Sequence, residues 1–310
     1  MTEATTIEAA AETASPRAIA EGGARSLASD AWRQLKKNPI FWVSIVLITI
    51  FVVMAAVPQL FTSTDPAAAV LKDARAKPSA DAWFGRDIQG YDIYARTVYG
   101  ARASILVGVF TTLSTVLLGV LLGVAAGFNG GWIDTLISRI TDVFLATPLL
   151  LGGILFMASF PNDVNSAYLV VVGKVVLALA LLGWPSLARL MRSSVLQVKP
   201  NDYVQAARAL GASPWRIIRS HILPNAMAPV IVVATINLGV YISVEATLSF
   251  LGIGLTAPAI SWGVQISDAL VALRTTPHIL LFPSIFLSLT VLAFIMLGDA
   301  VRDAFDPKTR

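Results

Sequence analysis

Few side chains in this sequence could perform chemistry, and those few are scattered among apolar residues. The chain has no cysteine, which excludes disulfides, a thiolate zinc site and a cysteine nucleophile. Its two histidines, His221 and His278, are far apart in sequence, so no histidine-based metal site is expected. The pair Gly173-Lys174 lies in an apolar run without the Gly-x-x-x-x-Gly-Lys-Ser/Thr spacing that cradles phosphate. We therefore expect a non-catalytic chain.

Three polar residues lie within long apolar segments, namely Lys174, Asn237 and Glu245. Polar and ionisable groups inside a bilayer are costly and often mark a transport path. Asn237 lies nearer the middle of its segment and is the better candidate for lining such a path. Glu245 lies towards the end of the same segment, where it either lines the path or makes a structural hydrogen bond. Lys174 lies near a membrane boundary, so its amine can extend to the interface.

The elements that carry these residues are six apolar segments, each about long enough to cross a bilayer. Of the 310 residues, 56% are hydrophobic and 14% are charged. Soluble domains average about 25% charged residues, so we predict an all-α polytopic membrane protein. The predicted spans are 40–57, 104–128, 135–158, 167–190, 226–251 and 279–298.

The distribution of lysine and arginine predicts the orientation of the chain. With the N-terminus inside, 14 of the 23 basic residues lie in inner segments and 7 in outer segments. This bias favours cytoplasmic termini, and it accounts for the net charge of +4 without a nucleic-acid partner. The segments outside the spans are then a mobile tail (1–27), an inner segment (28–39), an extracytoplasmic loop (58–103), a cytoplasmic loop (191–225) and a cytoplasmic tail (299–310).

The inner segment 28–39 admits two interpretations. In the first, Trp32 and Leu35 anchor a short interfacial helix whose basic residues face lipid headgroups. Those basic residues are Arg33, Lys36 and Lys37. In the second, the segment is a plain basic flank of the first span.

Two spans carry patterns that predict helix packing. Gly119, Gly123 and Gly127 recur every four residues and form a small-residue stripe that lets another helix approach closely. The stripe is typical of packing within one bundle, and a dimer contact is the alternative. Arg139 and Asp142 are three residues apart, so we expect them to pair on one helical face as part of the architecture.

The loop "DYVQAARALGASPWRIIRSHILPN" (202–225) is polar, yet it is patterned for structure. Asp202 is expected to cap a first helix that ends at Gly211. Ser213-Pro214 predict the start of a second helix, which ends at Pro224. One face of the first helix carries Tyr203, Ala206, Ala207 and Leu210. One face of the second carries Trp215, Ile218 and Ile222.

This loop resembles the "EAA" loop in the permease subunits of binding-protein-dependent ABC importers. That pattern is Glu-Ala-Ala, three residues, Gly, nine residues, Ile, one residue and Leu-Pro. Its spacing is met from "QAA" (205–207) through Gly211 to "LP" (223–224). Gln205 replaces the glutamate, which removes a charge, and His221 replaces the isoleucine. The resulting "HILPN" is similar to the peptide/nickel branch of the family.

Four further stretches resemble the same branch. They are "GRDIQGYDIYARTVYGARASI" from Gly85, "SRITDVFLATPLLL" from Ser138, "EATLSFLGIGLTAPAISWG" from Glu245 and the C-terminal "LGDAVRDAFDPKTR". Their order and the long first outer loop look like the C-type subunit of dipeptide or oligopeptide importers. The resemblance implies a type I ABC importer permease fold with residues 104–298 as its core. It also implies that the loop 252–278 meets a binding protein or caps the path, although a plain connection is the alternative.

The resemblance implies a function and a set of partners. The chain would form half of a path for dipeptides or oligopeptides, with nickel chelates, glutathione or another small solute as alternatives. Its partners would be a second permease, one or two cytoplasmic ATPase subunits that bind ATP and Mg²⁺, an extracytoplasmic solute-binding protein and membrane lipid. This chain itself would bind no cofactor or metal.

The loop would then couple the chain to the ATPase, in a bacterial-type plasma membrane. The residues expected to make this contact are Gln205, Ala206, Ala207, Arg208, Gly211, Ala212, Ser213, Trp215 and Arg216. The rival class is an autonomous channel or secondary transporter, in which Lys174, Asn237 and Glu245 would bind or relay ions.

Overall fold

The computed structural model describes residues 27–163 and 165–305, and within these ranges the chain is helical with isolated β-bridges and no β-strand. The predicted tail lies outside the described residues, apart from position 27, and so do positions 306–310. The helices are α1 (Leu27–Leu35), α2 (Pro39–Ala56), α3 (Ile93–Asn129), α4 (Gly131–Leu145), α5 (Leu149–Ser159), α6 (Tyr168–Val198), α7 (Asp202–Ala209), α8 (Pro214–Ile217), α9 (Leu223–Phe250), α10 (Trp262–Ala269) and α11 (His278–Phe305).

Six spans can be built from these helices. Within the described residues, α2, α3, α6, α9 and α11 are long and apolar enough to cross a membrane, and α4 with α5 makes one bent pair. The predicted all-α polytopic architecture is thereby confirmed.

The second span begins earlier than predicted. Asp92 caps α3, and its Oδ1 accepts a hydrogen bond of 2.8 Å from the amide of Ala95. Residues 93–103 are therefore helical, although the sequence placed them in the outer loop. Arg102 lies in this part, and its Nε donates to the carbonyl of Ala55 at the end of α2. Because such polar residues lower the local hydropathy, the apolar run marked only the later part of the helix. Two other spans are longer than predicted for the same reason, since α6 continues to Val198 and α11 to Phe305.

The third span is broken, whereas the sequence predicted one continuous helix over 135–158. The axes of α4 and α5 meet at an angle of 84°. Pro148 stands at the break with φ −57° and ψ 129°. A proline has no amide hydrogen to continue the helical ladder, and it disfavours helical geometry at the residue before it, here Thr147.

The glycine stripe faces another helix of the same chain. A Cβ on Gly119 would lie 2.6 Å from Cβ of Leu187, and one on Gly123 would lie 2.6 Å from the carbonyl oxygen of Ala188. Both contacts are with α6. Since real Cβ atoms do not approach this closely, the two backbones can meet here only because these positions are glycine. Gly127 makes the same approach to Val195 of α6.

The segment before the first span forms the helix α1. Its Leu35 is buried with Ala300 and Ala304 of α11, so this side chain packs on protein rather than on lipid. Trp32 is half exposed, and Nζ of Lys36 lies 5.0 Å from the centre of its ring.

The loop 252–278 is largely a docked element. Trp262 at the start of α10 is fully buried, and its Nε1 donates to the carbonyl of Thr97 on α3 at 2.9 Å. Gln265 donates to the carbonyl of Arg96 at 3.1 Å. Two side chains of α10 thus hold the first turns of α3.

Candidate functional site

The segment 199–222, which we call the elbow, connects α6 to α9 through two short helices. The cap of α7 is Asn201 and not Asp202, because Asn201 has the extended backbone of a cap and its carbonyl accepts the first bond, from Val204. Asp202 is the first helical residue. A carboxylate at that position is favourable because the helix N-terminus carries a partial positive charge.

The glycine turn ends α7 with a pair of backbone bonds. Gly211 has φ +79°, a left-handed conformation that favours glycine. The amide of Ala212 donates to the carbonyl of Ala207, and the amide of Gly211 donates to that of Arg208, each at 3.0 Å. These two bonds form a Schellman motif. Ser213 then caps α8, and its Oγ accepts from the amide of Arg216 at 3.4 Å. The direction of the chain through the turn is therefore held by three consecutive residues, Gly211, Ala212 and Ser213.

One side of the elbow is anchored in the bundle. Val204, Ile217 and Ile222 are buried, and they form one apolar cluster with side chains from α3, α6 and α9. Trp215 does not share this side, although the sequence placed it on one face with Ile222. A turn of π-helix at Ile218–Ile222 changes the register between the two residues. As a result, the side chain of Trp215 points outward.

The other side of the elbow is an open surface with apolar and basic groups. Leu210 is 89% exposed and Trp215 is 67% exposed. Residues 205, 206, 208, 211, 213 and 216 are also exposed, whereas Ala207 and Ala212 are half-buried. Gln205 donates from Nε2 to the carbonyl of Lys199 at 2.9 Å, so this residue holds the start of the elbow. The arrangement is an anchored, shaped surface that a partner could grip.

Lys199 belongs to this site, and sequence reasoning missed it. Its Nζ donates to the carbonyl of Phe128 at 2.7 Å, at the end of α3. A cation at a helix C-terminus complements the partial negative charge of the unpaired carbonyls there. The two residues are 71 positions apart. No local spacing could have revealed this contact.

The polar residues within the spans do not come together. Glu245 is fully buried, and its Oε1 accepts from Oγ of Ser249 at 2.8 Å. Lys174 donates from Nζ to the carbonyl of Pro161 at 2.8 Å. Asn237 is half-buried on α9. Within the described ranges, no three His, Asp or Glu side chains lie close enough to hold a metal ion.

Two ion pairs join α4 to α6. Asp142 lies 3.6 Å from Arg139, the partner that the sequence suggested, but only 2.7 Å from Arg189 of α6. Arg192 of α6 donates to the carboxylate of Asp134 from two nitrogens, Nε to Oδ1 and Nη2 to Oδ2, and the second distance is 2.7 Å. Between these helices lies a cavity of about 330 Å³, with Arg189, Arg192 and Asp142 among its lining residues. The sequence did not indicate the pairs with α6.

Comparison with known proteins identifies the architecture. Residues 119–310 match the family described as "Binding-protein-dependent transport system inner membrane component", and residues 26–78 match the "N-terminal TM domain of oligopeptide transport permease C". The dipeptide transport system permease protein DppC of Alkalihalophilus pseudofirmus is 41% identical over 281 residues, which are 91% of this chain and 90% of that protein. The oligopeptide transport system permease protein OppC of Bacillus subtilis is 38% identical over 285 residues, 92% of this chain and 91% of that one.

A solved structure agrees at the level of the fold. An inward-facing form of the MetNI methionine ABC transporter superposes with a TM-score of 0.51 and 20% identity, covering 67% of this chain and 95% of that one. The family and the type I permease fold expected from the sequence motifs are therefore confirmed. This chain is a multi-pass membrane protein that belongs to the family of binding-protein-dependent transport system inner membrane components.

Proposed function

We propose that this chain is the C-type permease subunit of an ATP-driven importer of dipeptides or oligopeptides. The support is the match along nearly the whole chain to permeases named for those substrates. In this proposal the chain forms half of the translocation path, and a second, homologous permease forms the other half. A solute-binding protein delivers the ligand on the outer side, where α10 and the segment 57–92 lie.

The observation that carries the proposal is the two-sided elbow. Val204 and Ile217 are buried in the bundle, while Leu210 and Trp215 are presented to the outside of the chain. A motor protein can push on a membrane protein only through a part that is rigid and also accessible, and the elbow meets both conditions. We infer that this surface docks on a cytoplasmic ATPase subunit.

Each residue of the predicted coupling set has a place in this docking. Arg208 and Arg216 are exposed and offer planar donors to acidic groups on the partner. Ala206 and Ala207 present no bulk, so a partner surface can approach the backbone of α7. Gly211 and Ser213 set the angle between the helices, and Ala212 completes the turn. Gln205 donates to the carbonyl of Lys199 and so holds the start of the elbow.

The bias of basic residues supports an inner location for the elbow. We propose that it lies in the cytoplasm together with both termini, in a bacterial-type plasma membrane. ATP and Mg²⁺ would then be bound by the partner ATPase subunits and not by this chain. Closure of those subunits would move the elbow and turn the path outward, and hydrolysis would return it inward. Net import requires that affinity for the ligand differ between the two states.

Asn237 and Glu245, the two polar residues of α9 that were candidates for lining the path, receive different roles in this proposal. Asn237 is half-buried on α9, and we assign it to the wall of the path. Glu245 is enclosed by its own chain in this conformation, so we assign it the structural alternative. Its carboxyl binds Ser249, whose Oγ in turn accepts the amide of Leu255 at 2.9 Å, and these bonds shape the exit of α9.

The experiment that tests this function is purification of the tagged chain in mild detergent, followed by reconstitution with its binding protein. We expect a second six-span permease and one or two ATPases to co-purify, and labelled dipeptide to enter liposomes only with ATP. Uptake without ATP by the chain alone would instead indicate a channel or secondary transporter. Competition by glutathione or a nickel chelate, but not by peptides, would reassign the substrate.

A further inference from the structure

The inner half of α6 contacts two parts of the molecule, the elbow and α4, on two different sides. On one side, Leu187, Met191 and Val195 belong to the apolar cluster that also holds the buried residues of the elbow. From the same turns, Arg189 and Arg192 reach the opposite way and bind α4. A displacement of the elbow can therefore reach α6 through this cluster, and α4 through the ion pairs of α6.

Two ion pairs and one edge-to-face ring contact, between Phe144 and Trp184, join α4 to α6. Of its fifteen residues, all of which the structure describes, Thr141 alone is buried. The cavity of about 330 Å³ opens between α4 and α6, with Ala126 of α3 also in its wall. The two ion pairs bridge this space. The Arg192 pair is bidentate, a geometry that fixes orientation as well as distance.

The other half of the third span is held quite differently. Gly152 and Gly153 allow α5 to lie close to its neighbours, because a Cβ on Gly152 would lie 2.8 Å from Leu182 and one on Gly153 would lie 3.4 Å from Leu248. Met157 of α5 is buried in the same core. Thus α5 is packed in place, while α4 is joined to it through the break at Pro148.

We infer that Arg189 and Arg192 are positioning residues that make α4 follow the elbow. When the elbow shifts, the inner half of α6 beyond Pro185 shifts with it, and the two ion pairs carry α4 along. Helix α5 stays in place, because it packs on Leu182, which precedes that proline. The third span then bends further or straightens at Pro148, and the inner end of the bundle changes shape. This inference rests on the proposed contact between the elbow and an ATPase.

The test compares three variants in the assembled, reconstituted complex. Arg192→Gln removes the bidentate pair, and Asp134→Arg with Arg192→Asp restores it with the charges exchanged. Arg139→Gln is the matched control, since Arg139 loses the same charge on the same surface but is 79% exposed and lies 3.6 Å from its acid. We expect peptide transported per ATP hydrolysed to fall roughly threefold or more in Arg192→Gln, an effect of the size seen along coupled networks. The exchanged pair should recover it, and the control should keep it.

A distance measurement separates this inference from the proposed function. Spin labels at the exposed positions 132 on α4 and 155 on α5 report the bend. In the parent complex, an ATP analogue should change their separation, and in Arg192→Gln the change should be lost. No change in a parent complex that still takes up peptide with ATP would overturn this inference and leave the proposed function standing, whereas uptake that does not require ATP would contradict the proposed function itself. The role of the arginines would be overturned if the label separation in Arg192→Gln still changed as in the parent complex. It would also be overturned if Arg192→Gln kept the parent ratio of peptide transported to ATP hydrolysed, if the control lost this ratio equally, or if the exchanged pair did not recover it.

Discussion

Substitutions of Gly211 give a graded test of the elbow, because each one changes the cost of the backbone conformation at this position without adding a steric clash. The residue has φ +79°, and among the described residues nothing lies within 4 Å of a Cβ built there. A side chain therefore meets no steric clash, and the cost comes from the backbone alone. We expect transport to fall in the order Gly, Asn, Ala, Pro.

The magnitudes follow from the left-handed conformation. For alanine it costs about 1–2 kcal/mol, whereas asparagine tolerates it better. About 1.4 kcal/mol is a factor of ten in an equilibrium. Gly211→Ala should therefore raise the population of molecules in which the turn at position 211 is not formed by roughly 5- to 30-fold. Proline holds φ near −65° and has no amide hydrogen. Gly211→Pro therefore cannot keep the turn, and it also loses the bond from this amide to Arg208.

The assay is ATP-dependent uptake of labelled dipeptide, together with the amount of ATPase that co-purifies. Each value is normalised to the permease present in the membrane, which should change little because the anchors Val204, Ile217 and Ile222 remain. We expect near-normal uptake for the asparagine variant and almost none for the proline variant. If the proline variant, at parental level in the membrane, keeps full uptake and its ATPase, the elbow does not couple the two proteins.

Five further substitutions probe the surface, the packing and the buried acid. Trp215→Ala should reduce co-purification of the ATPase without changing the thermal unfolding midpoint, whereas Ile217→Ala, at a buried site, should destabilise the chain by about 2–5 kcal/mol. Equal midpoints for the two would contradict the assignment of faces. Gly123→Val should remove most folded protein from the membrane, because its Cβ would lie 2.6 Å from backbone of α6, whereas Gly173→Val should be tolerated, since nothing described lies within 4 Å. Normal yields of both, measured by detergent-stable monodisperse protein, would be inconsistent with close α3–α6 contact. Glu245→Gln keeps an acceptor for Ser249 and should leave uptake and ligand preference unchanged; a changed preference at normal protein level would place this residue on the path.

The parts of the fold that the sequence predicted well depend on local physics. The first span is an unbroken apolar run, so the predicted 40–57 differs from Pro39–Ala56 by one residue at each end. The turn at the centre of the elbow was equally legible, because Gly211 and Ser213 act on their immediate neighbours through the backbone. Such signals need no knowledge of the tertiary structure. The predicted end of the second helix at Pro224 was wrong, because a proline fits the first turn of a helix and Pro224 lies in the first turn of α9.

Contacts between distant segments account for what the sequence did not show. Asp142 has a local partner three residues away and a closer one 47 residues away, and only the first obeys a helical spacing rule. The bend at Pro148 was hidden in a similar way, because hydropathy is continuous across it. The outward direction of Trp215 depends on a π-helical turn, for which no short pattern is diagnostic.

Helix α3 links the two ends of the molecule. Helix α3 has 37 residues and is thus about 55 Å long. Lys199 holds one end of it beside the elbow, and Trp262 holds the other beside the outer loop. Binding equilibria at two such connected surfaces are reciprocal. If a partner on the elbow alters the affinity of the outer surface for its own partner, occupancy of the outer surface alters affinity at the elbow by the same factor. In the proposed orientation, a loaded outer face would therefore be detected on the inner side as a change in how tightly the proposed ATPase partner is held.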